Sequence, residues 1–358
     1  MARLVLGGTT VAIGSTMTLC MFDRHGPPGA SSKLDRYLNP PLHLIAGVTF
    51  VVSLTEAFVS SLFLISGKTL SITTDNDIDL KQMVMKTKST SPVIVAANHN
   101  TYLDAPLLAP LFGRCGTNLS FLWIRDPSSW IFSAGSASLL FSKPIMGTIT
   151  SLVCGLPIQQ RWIKKGESHP KDLISLNVSQ HLNDFITCLK SGKTLLFFPE
   201  GRLIQNSVEV RDEEGRWTQM DGRKNEPNGL VATFHSGVGR LVAHSGAKVI
   251  PTAHCGLDSL LTSEKSYNLV DVSFDLSPHE PVSVHVGEPI DFTEMIQQFE
   301  KKHPNLTPFS NPQALGCEDY MCDEKRKFYR EITEVIRAEI IRCHNTAREA
   351  SSKQKIKK

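Results

Sequence analysis

The sequence predicts an α/β protein with a mostly parallel central sheet, helices on both faces of that sheet, and an N-terminal helical region that associates with a membrane. Short apolar runs recur along the chain, and stretches with apolar residues at helical spacing separate them. Strands that alternate with helices favour parallel pairing, because a crossover helix returns the chain to the same edge of the sheet. A long apolar segment near the N-terminus predicts the membrane contact.

The N-terminal region, residues 1–75, contains two apolar segments. Residues 4–22 follow Arg3 and form a candidate targeting segment. Residues 44–65, "LIAGVTFVVSLTEAFVSSLFLI", are long enough to cross about 30 Å of hydrocarbon. A carboxylate at the centre of a span costs roughly 2.5–3.5 kcal/mol, so Glu56 either faces protein or water, or the helix enters the membrane without crossing it. A buried core helix is the alternative.

Five apolar runs are predicted to be strands. They cover residues 91–97, 155–160, 193–199, 247–254 and 281–290. Helices are predicted at 172–192 and 237–246, both ending in glycine, and an amphipathic helix at 323–350. Dense charge and glycine predict an exposed insertion at 206–229. The chain is therefore divided into the N-terminal region, a central domain over 76–300, and a C-terminal helix with a basic tail over 301–358.

Composition excludes several classes of protein. A net charge of +3 over 358 residues is too small to predict nucleic-acid binding. The 8 cysteines include no C-x-x-C pair, which argues against a disulfide framework and a zinc finger. His235, His244 and His254 lack the spacing of a metal site, and the two "SGKT" strings lack the glycine of a phosphate-binding loop. No metal, cofactor or nucleic acid is expected.

His99 and Asp104 follow the predicted strand at 91–97 and form the first candidate site. A strand that ends before His99 places its imidazole at the carboxyl edge of the sheet, where open α/β folds bind ligands. Asp104, about one helical turn further on, can orient that ring and raise the basicity of its second nitrogen. Because no serine or cysteine nucleophile is recognisable, the base is predicted to activate a hydroxyl of the substrate. The alternative for this motif alone is a helix cap with a hydrogen-bonded histidine.

Two further strand ends carry polar residues. Glu200, Gly201 and Arg202 follow the strand at 193–199, and Arg161 follows the strand at 155–160. Parallel strands would bring them to the same edge as His99. Gly201 permits close backbone approach, and an arginine offers a bidentate fork for phosphate or carboxylate. Together these residues predict a site for an anionic substrate that carries a hydroxyl.

These motifs resemble the four ordered motifs of the glycerolipid acyltransferases. The resemblance rests on Asn98, His99 and Asp104, on Gly155 with Arg161, on residues 198–201 ("FPEG") and on residues 249–254 ("VIPTAH"). It implies acyl transfer without a cofactor, with His99 as the base and Asp104 stabilising the imidazolium. Backbone N–H groups near Gly201 would stabilise the oxyanion, at about 3 kcal/mol per donor. The remaining residues implied to bind substrate are Asn98, Arg161, Glu200, Arg202 and Pro251.

Two further stretches, residues 237–261 and 284–292, resemble one branch of that family. The branch moves acyl chains directly from a phospholipid to a lysophospholipid, without coenzyme A. The resemblance implies cardiolipin remodelling by a peripheral or monotopic protein on a mitochondrial membrane facing the intermembrane space, and it leaves a homo-oligomer open. The alternatives are an acyl-CoA-dependent lysophospholipid acyltransferase that uses the same residues, and a catalytically silent membrane adaptor.

Overall fold

The structure, a computed structural model, describes residues 42–101, 103–115, 130–136, 155–158, 182–201, 208–211, 217–220, 231, 234–257, 261–263, 272–274, 281–311 and 322–356. The described helices are α1 (Leu42–Ser66), α2 (Leu80–Thr90), α3 (Asp104–Cys115), α4 (residues 182–190), α5 (Gly237–Ser245), α6 (Thr293–Lys302) and α7 (Asp323–Ile356). The described strands are β1 (Leu70–Thr74), β2 (Val93–Ala97), β3 (Ile131–Ser136), β4 (Gly155–Ile158), β5 (Thr194–Phe197), β6 (Val208–Arg211), β7 (Trp217–Met220), β8 (Lys248–Cys255), β9 (Leu261–Ser263), β10 (Val272–Phe274) and β11 (Val282–Val286).

A mostly parallel sheet forms the centre of the fold, as predicted. Its 7 strands lie in the order β1-β11-β8-β2-β5-β3-β4. All neighbouring pairs are parallel except β11 with β8. Each of the five predicted runs supplies one strand, although residues 159 and 160 lie outside the described residues. The carboxyl ends of β2, β8, β5, β3 and β4 therefore meet at one edge, which we call the catalytic edge.

Both faces of the sheet are buried along its central strands, which confirms the predicted helical layers. Along β2, Ile94 and Ala96 belong to the apolar core shared with α4, α5 and α7, whereas Val93, Val95 and Ala97 point into the core shared with α2 and α3. Every β2 side chain is buried. Continuous apolar strands of this kind are typical of parallel sheets covered on both sides.

The predicted helix at 237–246 corresponds to α5, and it ends as its sequence indicates. Gly246 follows the last helical residue with φ of 66° and donates its N–H to the carbonyl of Val242. This left-handed conformation favours glycine over other residues. The turn brings the chain directly from α5 into β8, the neighbour of β2.

The N-terminal segment predicted to associate with a membrane includes α1. Within the described residues, no helix combines the length and apolarity that a bilayer crossing requires. Glu56 is paired with Arg114 of α3 at 3.0 Å. Its carboxylate therefore faces protein, which is one of the possibilities that the sequence left open. The candidate targeting segment at 4–22 lies outside the described residues.

Two elements join the sheet from outside the predicted central domain, whose boundaries stay a prediction. Strand β1 precedes residue 76 yet pairs with β11. Helix α7 packs on the sheet, where Cys343 and Ser351 contact the carbonyls of Pro251 and Pro281. The predicted insertion at 206–229 contains the antiparallel pair β6 and β7. The two ends of the described chain thus help to build the fold that carries the site.

An ionic network around Asp75 fastens β1 to β11 and α7 at the edge opposite the catalytic edge. The Asp75 carboxylate accepts hydrogen bonds from Arg342 at 2.8 and 2.5 Å, and its Oδ1 lies 3.0 Å from Nε2 of His285. The N–H of Glu288 donates to Oδ2. Arg342 above all, with His285, lowers the pKa of Asp75 to about 2.

Replacing Asp75 with asparagine is expected to lower the free energy of unfolding at pH 7 by about 1–3 kcal/mol, since hydrogen bonds to charged groups contribute that much. The folded-state pKa of about 2 lies below the ordinary 3.8, so this stabilisation is complete above about pH 4 and disappears as the pH falls towards 2. Urea unfolding across this pH range measures it. The neighbouring Asp77→Asn variant is the control, and an equal deficit at pH 7 and pH 2 would contradict the prediction.

Candidate active site

His99 and Asp104 meet at the catalytic edge. His99 follows the end of β2, and Asp104 is the first residue of α3. Nδ1 of His99 lies 2.8 Å from Oδ2 of Asp104. That oxygen also accepts the backbone N–H groups of Asn100 and Thr101, at 2.7 and 3.0 Å. Because Oδ2 accepts two backbone N–H groups, it acts as an acceptor towards Nδ1 of His99 as well, so Nδ1 carries the hydrogen. Nε2 of His99 is therefore the basic nitrogen.

Asp104 is ionised although it is fully buried. Burial by itself raises the pKa of a carboxyl, but the imidazoles of His254 and His99 outweigh that effect and lower the pKa of Asp104 to about 2. The His99 side chain is 22% exposed, whereas the Asp104 side chain is 0% exposed. The site therefore holds a permanent negative charge behind an imidazole that substrate can reach.

Glu200 and Phe198 bind His99 from the neighbouring strand. Because β5 runs parallel to β2, the residues after Phe197 lie beside His99. The buried Glu200 accepts the backbone N–H of His99 at 3.2 Å. The Phe198 ring stacks on the imidazole with a centroid distance of 4.3 Å and an interplanar angle of 18°. The structure thus brings Glu200 to His99, and the contact is to its backbone.

Gly201 forms the tight turn after Glu200. It has φ of 68° and donates its N–H to the carbonyl of Phe198 at 3.0 Å. A Cβ atom on Gly201 would lie 2.8 Å from Cδ2 of His235, whose backbone N–H is bonded to Pro199. The predicted close approach at this glycine is therefore to the segment that leads into α5.

Replacing Gly201 with alanine is expected to lower the free energy of unfolding by about 1–2 kcal/mol, because the positive φ is strained for any residue with a Cβ. Displacement of the turn also moves Glu200, so the transfer rate should fall by up to about 100-fold. Denaturant unfolding and initial transfer rates measure the two effects. In the double variant Gly201→Ala, His235→Ala the steric overlap is gone, so part of the rate should return while the strain remains. A single variant with native stability and rate would contradict this reading of the turn.

Asn98 and Pro251 have contacts within the fold. Both ends of the Asn98 amide bind the backbone of His254, with Nδ2 3.2 Å from its carbonyl and Oδ1 2.9 Å from its N–H. Pro251 lies within β8, opposite Ala96, and its carbonyl accepts the N–H of Gly287 at 2.8 Å. These contacts join β2, β8 and β11 beneath the catalytic edge. A contact of either residue with substrate stays a prediction.

The two predicted arginines, Arg161 and Arg202, lie outside the described residues. The strand that precedes Arg161 is described: β4 pairs in parallel with β3 at the end of the sheet. Arg202 directly follows Gly201 in the sequence. Their predicted role in holding a phosphate stays a prediction.

His254 is a site residue that the sequence reasoning did not assign. It lies near the end of β8, and its Nε2 is 3.1 Å from Oδ1 of Asp104. The sequence analysis included this histidine in the motif at 249–254 and rejected it as a metal ligand, without giving it a role at the site. Its position at the end of a predicted strand, like that of His99, is the signal that pointed to the catalytic edge.

The site combines an oriented imidazole, a buried carboxylate and a glycine turn. Among the described residues, no group of three or more His, Cys, Asp or Glu side chains could hold a metal ion. This arrangement can remove a proton from a hydroxyl and return it to a leaving group. With the parallel sheet, it is the arrangement expected of an α/β enzyme that activates a hydroxyl.

Comparison with known proteins identifies the class more closely. Residues 79–254 match the family described as Acyltransferase. The chain is 25% identical over 268 residues to the Dictyostelium discoideum protein named "Taffazin", covering 72% of each chain. It is 24% identical over 205 residues to an N-acylphosphatidylethanolamine synthase of Arabidopsis thaliana, covering 56% of each. The crystal structure of the LPA acyltransferase PlsC from Thermotoga maritima overlaps 82% of this chain and 80% of its own, at 17% identity and a low TM-score of 0.36.

The chain therefore carries an acyltransferase domain and is an acyltransferase. The branch that residues 237–261 and 284–292 resemble is that of the tafazzins, and the Dictyostelium relative confirms this resemblance.

Proposed function

We propose that this acyltransferase is a phospholipid–lysophospholipid transacylase that works at a membrane surface and remodels the acyl chains of cardiolipin in mitochondria. The observation that carries the proposal is the 2.8 Å contact between His99 and the buried, ionised Asp104. The match to a tafazzin over 72% of the chain supports the choice of lipid substrates.

The proposed reaction begins when Nε2 of His99 takes the proton of a lysophospholipid hydroxyl. The oxygen attacks the ester carbonyl of a second phospholipid, and Asp104 stabilises the imidazolium that forms. The N–H of Gly201 already binds the carbonyl of Phe198, so in this proposal another backbone N–H of the same turn stabilises the tetrahedral oxyanion. When the ester C–O bond breaks, the departing lysolipid oxygen takes the proton back from His99. In this proposal Arg161 and Arg202 bind a lipid phosphate.

An apolar pocket beside the catalytic pair supports a lipid substrate. Ala105 and Pro106, which directly follow Asp104, line it together with Ala109 of α3, Val52 of α1 and Trp130 before β3. The walls are largely hydrocarbon, so the pocket suits part of an acyl chain.

The outer face of α1 supports docking on a membrane surface. Leu54, Phe58 and Ile65 repeat at helical spacing, and they are 60%, 48% and 66% exposed. Leu64 beside them is 83% exposed. Exposed apolar side chains on one helix face favour the interface between lipid and water. A mitochondrial location rests on the tafazzin resemblance.

Transfer without coenzyme A tests the proposal. The purified full chain is incubated with vesicles that contain phosphatidylcholine, labelled in its acyl chains, and monolysocardiolipin. Labelled cardiolipin is the expected product, and the His99→Ala variant is the control. Transfer only from added acyl-CoA would overturn the proposal in favour of an acyl-CoA-dependent lysophospholipid acyltransferase. Phosphatidylethanolamine as acceptor tests the N-acyl transfer that the name of the Arabidopsis relative suggests.

A further inference from the structure

Asp104 lies between two imidazoles, and acyl transfer by His99 accounts for only one of them. Oδ2 of Asp104 receives His99 and the two backbone donors described above. Oδ1 lies 3.1 Å from Nε2 of His254. Both side chains in this second contact are 0% exposed, so no bulk solvent shares it. A charged carboxylate removed from water needs a partner for each of its oxygens.

The contact fixes the proton of His254. Because Oδ2 accepts several donors, the carboxylate is ionised and Oδ1 presents lone pairs. An unprotonated Nε2 at 3.1 Å would oppose its own lone pair to that oxygen. Nε2 of His254 therefore carries a hydrogen, and its 3.1 Å approach to Oδ1 is an ion-pair contact, without the angle of a hydrogen bond.

The backbone of His254 is held as firmly as that of His99. Asn98, the residue before His99, forms both of its amide contacts with the main chain of His254. On the other side, His254 pairs with Val284 of β11. His254 and His99 are thus set at a fixed separation on neighbouring strands, with the carboxylate between them.

We propose that His254 is a positioning residue for acyl transfer, which holds Oδ1 so that the Asp104 carboxylate stays charged and turned towards Nδ1 of His99. The proposal rests on the acyl-transfer role of His99 given above. It assigns a function in the reaction to a buried histidine of β8 that does not touch the reacting atoms.

The other ionisable groups around His254 come from α7. His344 of that helix is fully buried, and burial, followed by the charges of His254 and Arg348, lowers its pKa to about 4. His344 is therefore neutral at neutral pH. The ionisable groups with an interaction described at His254 are then Asp104 at the catalytic edge and neutral His344 on the side of α7, and Arg348 acts on His344.

Two substitutions at His254 separate positioning from folding. His254→Leu fills similar space but has no donor, so kcat should fall roughly 30-fold, less than the about 10²–10⁴-fold that a complete loss of base catalysis costs. KM should stay unchanged within about twofold. His254→Gln keeps an N–H donor and should restore kcat to within about threefold of the native value. His244→Gln, at a buried histidine bound to Tyr329 and the carbonyl of Phe309, is the matched control.

The pH profile gives a readout that a purely structural role would not change. Without the contact from His254, the Asp104 carboxylate can turn away from Nδ1 of His99 and stabilises the imidazolium less. The acid limb of kcat/KM should therefore move to lower pH by up to about one unit in His254→Leu, and return towards the native position in His254→Gln. His244→Gln should leave the limb in place even if it lowers Tm.

Carbethoxylation of His99 by diethyl pyrocarbonate, followed by peptide mass spectrometry across pH, measures the pH dependence of the His99 imidazole without substrate. If the native chain transfers no acyl group, the proposed function fails, and this modification profile still tests His254. A His254→Leu protein with native kcat and native profiles overturns the inference. If that variant does not fold, a folded His254→Gln protein that loses as much activity as Asp104→Asn overturns it as well.

Discussion

Replacing His99 with alanine is expected to abolish acyl transfer while the protein still binds lipid vesicles. Nε2 of His99 is the basic nitrogen of the site, and general-base catalysis contributes about 10²–10⁴-fold to a rate. The imidazole lies at the catalytic edge, whereas the proposed vesicle binding uses the exposed apolar face of α1, so vesicle binding should persist. Initial rates of transfer from labelled phosphatidylcholine, together with vesicle flotation, measure the two properties.

The control for this experiment is His303→Ala, at the end of α6, which should transfer acyl chains at the native rate. The two backbone donors to Asp104 do not involve the His99 ring, so His99→Ala should also fold like the native chain. Appreciable transfer by folded His99→Ala protein would remove His99 from the mechanism. The proposed activation of the lipid hydroxyl would then have no base.

Replacing Asp104 with asparagine is expected to reduce transfer by roughly 10³–10⁴-fold, since an amide can no longer stabilise the imidazolium and can hold the wrong tautomer of the base. The carboxylate is ionised down to a pKa of about 2, so the native charge is present throughout the pH range of an assay. The variant should therefore be slower than the native chain at every pH from 5 to 9. Rates measured across that range check this.

The stability of the Asp104→Asn variant distinguishes a catalytic loss from misfolding. The pKa of Asp104 is lower in the folded chain than the ordinary 3.8, so its contribution to folding is present above about pH 4 and is lost as the pH falls towards 2. The variant should lack this acid-dependent part of the unfolding free energy. A variant that keeps more than about one tenth of the native rate would contradict the role assigned to the charge.

The parts of the site that depend on local sequence were predictable. An apolar strand that stops at Asn98, and another that stops at Pro199, place His99 and Glu200 at the same edge once the strands are parallel, and β2 and β5 are parallel neighbours. The spacing of Asp104 from His99 also predicted their contact. These inferences needed only the period of a strand and the length of a turn.

The parts that depend on strand order could not be predicted in the same way. Nothing in residues 247–254 shows that β8 lies directly beside β2, which is what brings His254 to Asp104. The pairing of β1 with β11 joins segments about 210 residues apart, and the fastening of α7 to Asp75 is equally remote. Local periodicity carries no information on such contacts, so the sequence placed β1 and α7 outside the central domain.

The stacking of Phe198 on His99 has a consequence for the direction of the proposed exchange. The His99 ring is held on its face by Phe198 and at Nδ1 by Asp104, and both contacts oppose a flip of the ring during catalysis. The nitrogen that accepts a proton from the incoming alcohol must surrender it to the outgoing one. In the proposed transacylation both alcohols are lysolipids, so the forward and reverse reactions would use one geometry. Under that proposal the composition of the surrounding lipids, and not the protein, would set the net flow of acyl chains.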